Sequence, residues 1–544
     1  MELVVADRCR LGDVRVETRK IADGICDIAL HIELEWLVRR KGACVISGRV
    51  GNHEFSFGAD LSEGRRVITK KLSLEEIGLW YPRPYGPQDL HDVVVRVEDR
   101  SGLLDRRTFR TGFRKIELIQ DKRPEGCRTF EFRCNGEPLF VTGFNWTPLD
   151  AIFARVTPQK VTDRLEELAK IGCNMLRIWG GGIYESAHFF NECDRLGILV
   201  WQDFMMAGGW FPQGREFARA MAREAKQVVC GIRNHPCIAL YAGDNEIYQM
   251  LYREAPEYRK LINNNAITEK TLRNVCRRYD PHVPYLPSSP YSPTGKDHNV
   301  DRQGDAHRYV HGQSYRASAI WNSEPRFLSE FGWLSLPSVH TIKKYFPPGD
   351  EWPLTSRCWK YHSSNTVFMQ QFRGMDHVLR GIDANGRELP ENIDQAVRVT
   401  QELQAEAVGA WIEHFSGQPD FSGFLLWNVS DCWPEMSDAV MFYEGEKKAV
   451  FHRLEEIFTA ARREHDRRTG KGAKCPGRRD RISSSFSPTI TSTPSAPSAN
   501  CAASTPRSTG LTRATRAGAT CRWPAPVPTP TGTTRAMAST GICG

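Results

Sequence analysis

"CIALYAGDNE" (residues 237–246) runs apolar for several positions and then turns acidic. A strand that surfaces into solvent ends in this way. So does a strand at the mouth of a barrel, where a site is assembled from strand ends. The neighbouring segments decide between the two. "PLFVTGFNW" (138–146), "NMLRIWGGG" (174–182) and "ILVWQDF" (198–204) each repeat the pattern of a short apolar run closed by polar or aromatic residues. Helical patterns alternate with them. In "TPQKVTDRLEELAKIG" (157–172), Thr157 is the cap, Pro158 takes the first position and Gly172 stops the helix. Val161, Leu165, Leu168 and Ile171 fall on one face of it. "SAHFFNECDRLG" and "REFARAMAREAKQVVCGIR" follow, the latter with Phe217, Met221, Val228 and Ile232 on a stripe.

Downstream, "VPYLPSSP", "GDAHRYV", "RFLSEFG" and "GFLLWN" are further strand candidates. Repeated βα units with apolar strands predict an α/β fold, a (β/α)8 TIM barrel over residues 117–465. A doubly wound open sheet would need a glycine-rich nucleotide fingerprint. "WGGGIYE" has neither the GxGxxG spacing nor a following GK[ST]. The long stretch 332–420, between the seventh and eighth strands, contains the helix "IDQAVRVTQELQAEAVGAWIEHF". An insertion there walls the catalytic face of a barrel.

Residues 1–116 have a different rhythm. "DVRVETRKI", "CDIALHIELEW", "ACVISGRV" and "DVVVRVEDR" alternate in the manner of strands, with turn signals between them. An immunoglobulin-like β-sandwich is expected. Residues 466–544 are rich in Ser, Thr, Pro, Ala, Gly and Arg, with no apolar period, and are expected to be disordered. The abrupt change of character there is what a shifted reading frame would produce.

Charge follows the same division. From Asp466 onward there are 12 Lys or Arg against two Asp or Glu, so the net +8 of the chain leaves the preceding residues at −2. A near-neutral body with a basic tail, and only two aromatics (Phe486 and Trp523) in that tail, argues against a nucleic-acid partner. The 16 cysteines contain no CxxC pair, which argues against a zinc site and fits a reducing compartment. "MELVVADRCR" has no signal-peptide core, and no run reaches the roughly 18 apolar residues of a membrane span. The chain as given is therefore expected to be cytoplasmic, with no membrane partner.

The predicted strands end in residues of similar chemistry: Asn145 and Trp146, Arg177 and Trp179, Trp201, Gln202 and Asp203, Asn245 and Glu246, Asp305 and His307, Glu330, Trp427 and Asn428. Each alone reads as a capped strand end or a core aromatic. Converging on one barrel face, they form a bowl in which aromatic rings meet the apolar side of a sugar while amides and carboxylates read its hydroxyls. Two carboxylates on opposite walls of such a bowl suit glycoside hydrolysis, and Glu246 and Glu330 are the candidates. A rival metal centre built from Asp297, His298, Asp301, Asp305, His307 and His311 follows no standard ligand spacing. No metal or cofactor is expected. A second rival is a non-catalytic sugar-binding relic.

Several motifs carry a resemblance. "GFNWTPLD", "NMLRIWGGGIYE", "LGILVWQDFM", "IRNHPCIALYAGDNE", "SEFGWLSLPS" and "LLWNVSDCWP" resemble the barrel of glycoside hydrolase family 2, nearest its β-mannosidases. "LWYPRPYGPQDL" and "RTGFRKIEL" resemble the sandwich that precedes that barrel. The resemblance implies a retaining enzyme acting on a β-mannoside glycan, with an exo-β-glucosaminidase or another family 2 β-glycosidase as the alternative. By motif, Glu246 is then the acid/base and Glu330 the nucleophile. Asn245 would bond the sugar 2-hydroxyl, and Trp179 and Trp427 would line the subsite. Asn145, Arg177, Asp203 and His307 would complete the substrate contacts. Asp244 stands where these mannosidases usually have Asn, and Tyr309 near a usual Trp. The family's leading jelly roll and its last β domains have no counterpart in the sequence, so low activity is expected of the chain as given. The oligomeric state is left open.

Overall fold

The computed structural model describes residues 6–39, 42–209, 211–253, 256–293, 297–363 and 374–468. Of the basic tail expected to be disordered over 466–544, residues 466–468 instead close the helix Leu454–Arg468, and the rest lies outside the described residues.

The alternating N-terminal region folds as two antiparallel sheets. One contains Cys9–Ala22, Ile25–Trp36 and Gly64–Glu75 in that order. The other runs His53–Leu61, Gly42–Val50, His91–Asp99, Gly102–Thr111. Period-two patterning does the work: Cys26, Ile28, Leu30, Ile32 and Leu34 point inward from one strand and meet Ile46, Val50, Val93, Val95 and Val97. The result is an immunoglobulin-like sandwich of three and four strands.

Residues 116–138 do not open the βα series. They form a small sheet of Ile116–Ile119, Glu131–Cys134 and Glu137–Pro138. From it Phe130 packs on Trp201 (ring centroids 6.4 Å apart) and Phe132 on Phe327 (5.9 Å). Phe327 immediately precedes the seventh barrel strand, so these rings plug the barrel at the N-terminal ends of its strands.

The eight barrel strands are Val141–Trp146, Met175–Ile178, Leu199–Asp203, Ile238–Ala242, Tyr285–Leu286, Ala306–Arg308, Leu328–Phe331 and Gly423–Leu426. They make one parallel sheet in the order 5-4-3-2-1-8-7-6, the first strand pairing with both the second and the eighth. Among the described residues no backbone ladder joins the fifth strand to the sixth. Side chains hold that seam: Ser289 Oγ donates to Asp305 Oδ2 (2.7 Å), and Tyr291 N donates to Asp305 Oδ1 (2.9 Å).

The helices follow their sequence signals closely. Thr157 caps Pro158–Lys170 by accepting from Lys160 N, and Val161, Leu165 and Leu168 are buried. In Arg215–Ile232 the buried face is Met221, Ala225, Val229 and Ile232. The expected Phe217 and Val228 are only half-buried; after Met221 the stripe advances by four residues to Ala225 and Val229, which leaves Val228 at its margin. The long insertion helix is Ile393–Ser416, with Trp411 fully buried.

The sandwich is pinned to the barrel by polar contacts. Asn234, just after helix Arg215–Ile232, accepts from Val16 N (3.0 Å) and donates to Val14 O (2.7 Å), reading the edge of the first sandwich strand as another strand would. Trp80 Nε1 donates to Asp194 O (2.9 Å), and Arg114 Nε to Pro236 O (2.9 Å). Among the described residues no helix is long and apolar enough to cross a membrane.

Candidate active site

The strand ends converge on Arg177. Its guanidinium is fully buried and spends its donors on four neighbours from four strand ends. Nε and Nη2 reach Asp203 (3.3 and 2.8 Å), Nη1 reaches Asn145 Oδ1 (3.0 Å) and Glu330 Oε1 (2.5 Å), and Nη2 reaches Asn245 Oδ1 (2.6 Å). The planar fork suits this many acceptors in one layer. Burial pulls the guanidinium pKa down, but Asp203 and Glu330 outweigh it and the net shift is upward.

Asn145, Arg177 and Asp203, expected as substrate contacts, therefore lie one layer below the bowl. Asn145 donates through Nδ2 to Ser329 O (2.8 Å), and Asp203 also accepts from Trp201 Nε1 (2.9 Å) and Gly180 N (3.1 Å). Their hydrogen bonds face one another and the carboxylate above them. They set the position of Glu330 and leave no free group for a sugar. Trp146 and Trp201 are structural too: Trp146 Nε1 donates to Glu185 (2.9 Å) and Trp201 packs on the plug, whereas Asn428 donates to Thr147 Oγ1 (3.1 Å) and keeps a buried Oδ1 with no partner among the described residues.

Above this floor stand the two glutamates. Glu330 Oε1 faces Arg177, while Oε2 accepts from Tyr309 OH (3.0 Å) and lies 3.3 Å from His307 Nδ1. Glu246 Oε1 lies 2.7 Å from the same Nδ1. His307 thus bridges the pair through Nδ1, and with a proton there it donates to both carboxyl groups. Burial lowers the His307 pKa to about 4, so the ring is neutral. One oxygen of each glutamate and the His307 nitrogen all lie within 4.8 Å of one another. This triad is where, among the described residues, His and carboxylate donors come close enough to hold a metal ion. Of the Asp/His set at 297–311 only His307 joins it: His298 stacks on Tyr291, Asp305 bonds Ser289 and Ser329, and His311 pairs with Asp438.

The two carboxyl groups differ in what surrounds them. Burial raises both pKa values. At Glu330 the rise is opposed by the Arg177 cation, and both oxygens take donors, which favours its ionised form. Among the described residues no Lys or Arg pairs with Glu246, on which Arg177 and Arg253 act only from a distance, and its side chain keeps 20% of its exposure against 6% for Glu330.

Trp179 and Trp427 meet edge to face, centroids 5.1 Å apart, as one aromatic wall. The "WGGG" run has a physical reason. A Cβ on Gly181 would fall 2.1 Å from the Trp179 ring, and one on Gly180 2.8 Å from Met206 O. Trp179 Nε1 is a buried donor with no partner among the described residues, as a group reserved for a ligand would be. Asn245 has its amide oxygen fixed by Arg177, which leaves Nδ2 for a hydroxyl.

Sequence reasoning missed Tyr309 and Ser289 as parts of the site. Tyr309 lies two residues after His307, and that period-two spacing along the strand was the available signal.

The barrel and sandwich, with paired glutamates over an arginine floor, define a glycoside hydrolase architecture. Residues 9–114 match the model for glycosyl hydrolases family 2. The chain is 32% identical over 418 residues to beta-mannosidase B of Thermothelomyces thermophilus, covering 72% of this chain and 48% of that protein. The crystal structure of beta-D-mannosidase from Dictyoglomus thermophilum superposes with a TM-score of 0.77 at 31% identity, over 83% of this chain and 55% of that one. Amycolatopsis orientalis exo-chitosanase CsxA shares the fold at 17% identity (TM-score 0.67, 83% and 53% coverage). The chain is a β-mannosidase-like member of glycosyl hydrolase family 2. It spans about half the length of the curated relatives it matches.

Proposed function

We propose that the chain carries the catalytic centre of a retaining β-glycosidase that removes terminal β-mannosyl residues from glycans. The observation that carries this reading is the carboxyl pair: oxygens of Glu246 and Glu330 approach within 4.8 Å, and only one of the two is braced by a cation. Retaining enzymes hold their carboxyl groups about 5–5.5 Å apart, whereas inverting ones need roughly 6.5–9.5 Å to seat a water. Glu330, kept ionised by Arg177 and Tyr309, attacks the anomeric carbon. Glu246 gives its proton to the glycosidic oxygen as that bond breaks, and a glycosyl ester on Glu330 results. Water then enters, loses a proton to Glu246 and attacks the same carbon, releasing the sugar and restoring both groups. Trp179 and Trp427 offer the apolar wall and Asn245 Nδ2 a donor to the hydroxyl beside the reacting carbon. The names of the relatives favour mannose as the sugar.

The test is a panel of aryl β-glycosides (mannoside, glucosaminide, galactoside, glucuronide) with two variants. Glu330→Gln should abolish formation of a covalent intermediate by a 2-fluoro mannosyl fluoride, read by mass spectrometry. Glu246→Ala should keep cleavage of an activated aryl mannoside and be accelerated by azide, giving the β-mannosyl azide. An α-configured azide product would refute retention. Preference for another sugar of the panel would refute the mannosidase reading while leaving the mechanism standing.

A further inference from the structure

The backbone at Glu246 is in the left-handed region, with φ +60°. A residue with a Cβ rarely adopts such a conformation unless its surroundings impose it. Glu246 sits at the junction between the fourth strand, Ile238–Ala242, and the short helix Ile247–Arg253. Something must hold the turn.

The neighbours that hold it converge on Asp244. Its carboxyl is fully buried. Oδ1 accepts from Ile247 N (3.3 Å), spanning Asn245 and Glu246, and from Ser288 Oγ (2.5 Å) on the segment after the fifth strand. The backbone repeats the link: Ser289 N donates to Asp244 O (2.9 Å), and Glu246 N to Ser289 O (2.8 Å). Ser289 in turn lies 3.3 Å from His307 Nε2, whose Nδ1 meets the Glu246 carboxyl. The buried Asp244 side chain therefore ties the backbone turn at Glu246 to Ser288, while its main-chain oxygen holds Ser289, the neighbour of the ring that meets the Glu246 carboxyl.

We infer that Asp244 is the positioning residue that holds Glu246 in reach of the departing oxygen. This rests on the reading of Glu246 as the acid/base. The contacts used by Asp244 are those of an acceptor at Oδ1, and burial keeps its carboxyl neutral, raising its pKa to about 8. Oδ2 is buried with no partner among the described residues. An asparagine can therefore replace it in shape and in hydrogen bonding, whereas alanine cannot.

A displaced acid harms a reaction in proportion to the need for a proton. The experiment compares kcat/KM on β-mannobiose, a poor leaving group, with that on 2,4-dinitrophenyl β-mannoside, which departs without protonation. Asp244→Ala should lose about 100-fold on mannobiose, the loss that about 1 Å of misplacement brings. It should lose only a few-fold on the dinitrophenyl substrate, and Asp244→Asn should stay within a few-fold of the wild type on both. Ser288→Ala removes one donor to the same oxygen and should show the same selectivity at smaller size, which keeps the test open if Asp244→Ala does not fold. Equal losses on both substrates, or no loss, overturn the inference. Glu246→Ala run alongside separates the two claims. If Glu246→Ala is selective and the Asp244 and Ser288 variants are not, the positioning role alone fails. If Glu246→Ala is itself unselective, the acid/base reading falls and takes this inference with it.

Discussion

Replacing Arg177 by methionine is the most exposing perturbation of the site, because a single buried cation holds its floor together. The side chain is fully buried between Asp203 and Glu330 and makes five hydrogen bonds of 2.5–3.3 Å to Asp203, Asn145, Glu330 and Asn245. Methionine keeps much of the volume and removes the charge. Two carboxylates then remain in a dry layer without their counter-ion. Removing one partner of a buried ion pair costs about 3–5 kcal/mol. Asp203 keeps the donors Trp201 Nε1 (2.9 Å) and Gly180 N (3.1 Å), which places the expected loss toward the lower end of that range. Guanidinium titration followed by tryptophan fluorescence measures it, since Trp201 and Trp179 sit beside the change. The double variant Arg177→Met/Asp203→Leu removes both members of one pair and should recover about 1–3 kcal/mol relative to additivity. The same substitution acts on pH. Arg177 lowers the Glu330 pKa against the effect of burial, so its loss raises that pKa further. Glu330 must be ionised to attack, and the acidic limb of the rate profile should move to higher pH. Stability within about 1 kcal/mol of the wild type, additive double-variant values and an unmoved limb would together refute the role given to Arg177.

Other outcomes follow from the same geometry. Tyr309→Phe removes a hydroxyl that donates to Glu330 at 3.0 Å. A hydrogen bond to a charged group is worth about 1.5–3 kcal/mol, so kcat should fall roughly 10- to 150-fold, with the acidic limb again displaced upward. Gly181→Ala puts a methyl 2.1 Å from the Trp179 ring, so the ring must turn, and KM should rise with little change in thermal stability. Asn234→Ala frees the edge of the first sandwich strand and should cost about 1–3 kcal/mol by denaturant titration. Asp244 has a folded pKa raised from 3.8 to about 8, so its stabilising contribution is complete below 3.8 and is lost as pH rises to about 8. Asp244→Asn should therefore gain on the wild type across that window, by up to about 1.4 kcal/mol per pH unit, in denaturant titrations run at successive pH values.

What could be read from residues alone was whatever depends on local pattern. Thr157, Pro158 and the apolar face behind them specify a helix wherever it lies in space, and the strand "CIALYAGDNE" announces an apolar body with a polar end. The recurrence of such ends implied a barrel, and a barrel implied that Glu246 and Glu330 could meet. Tertiary structure alone decided how they meet. Side chains at a strand end point alternately inward and outward, and the stagger of neighbouring strands sets the layer each one reaches. That is why Asn145, Arg177 and Asp203 became the floor beneath Glu330 while Trp179, Trp427 and Asn245 became the wall. The plug at 116–138 has the same origin, since Phe130 and Phe132 find Trp201 and Phe327 only once the strands have closed around them. So does the seam between the fifth and sixth strands, closed by Ser289 and Asp305 where backbone pairing stops. The left-handed turn at Glu246 follows from no propensity of glutamate. It exists because Asp244 and Ser289, with Ser288 bracing the Asp244 carboxyl, supply the acceptors to which the N–H groups of Ile247 and Glu246 donate.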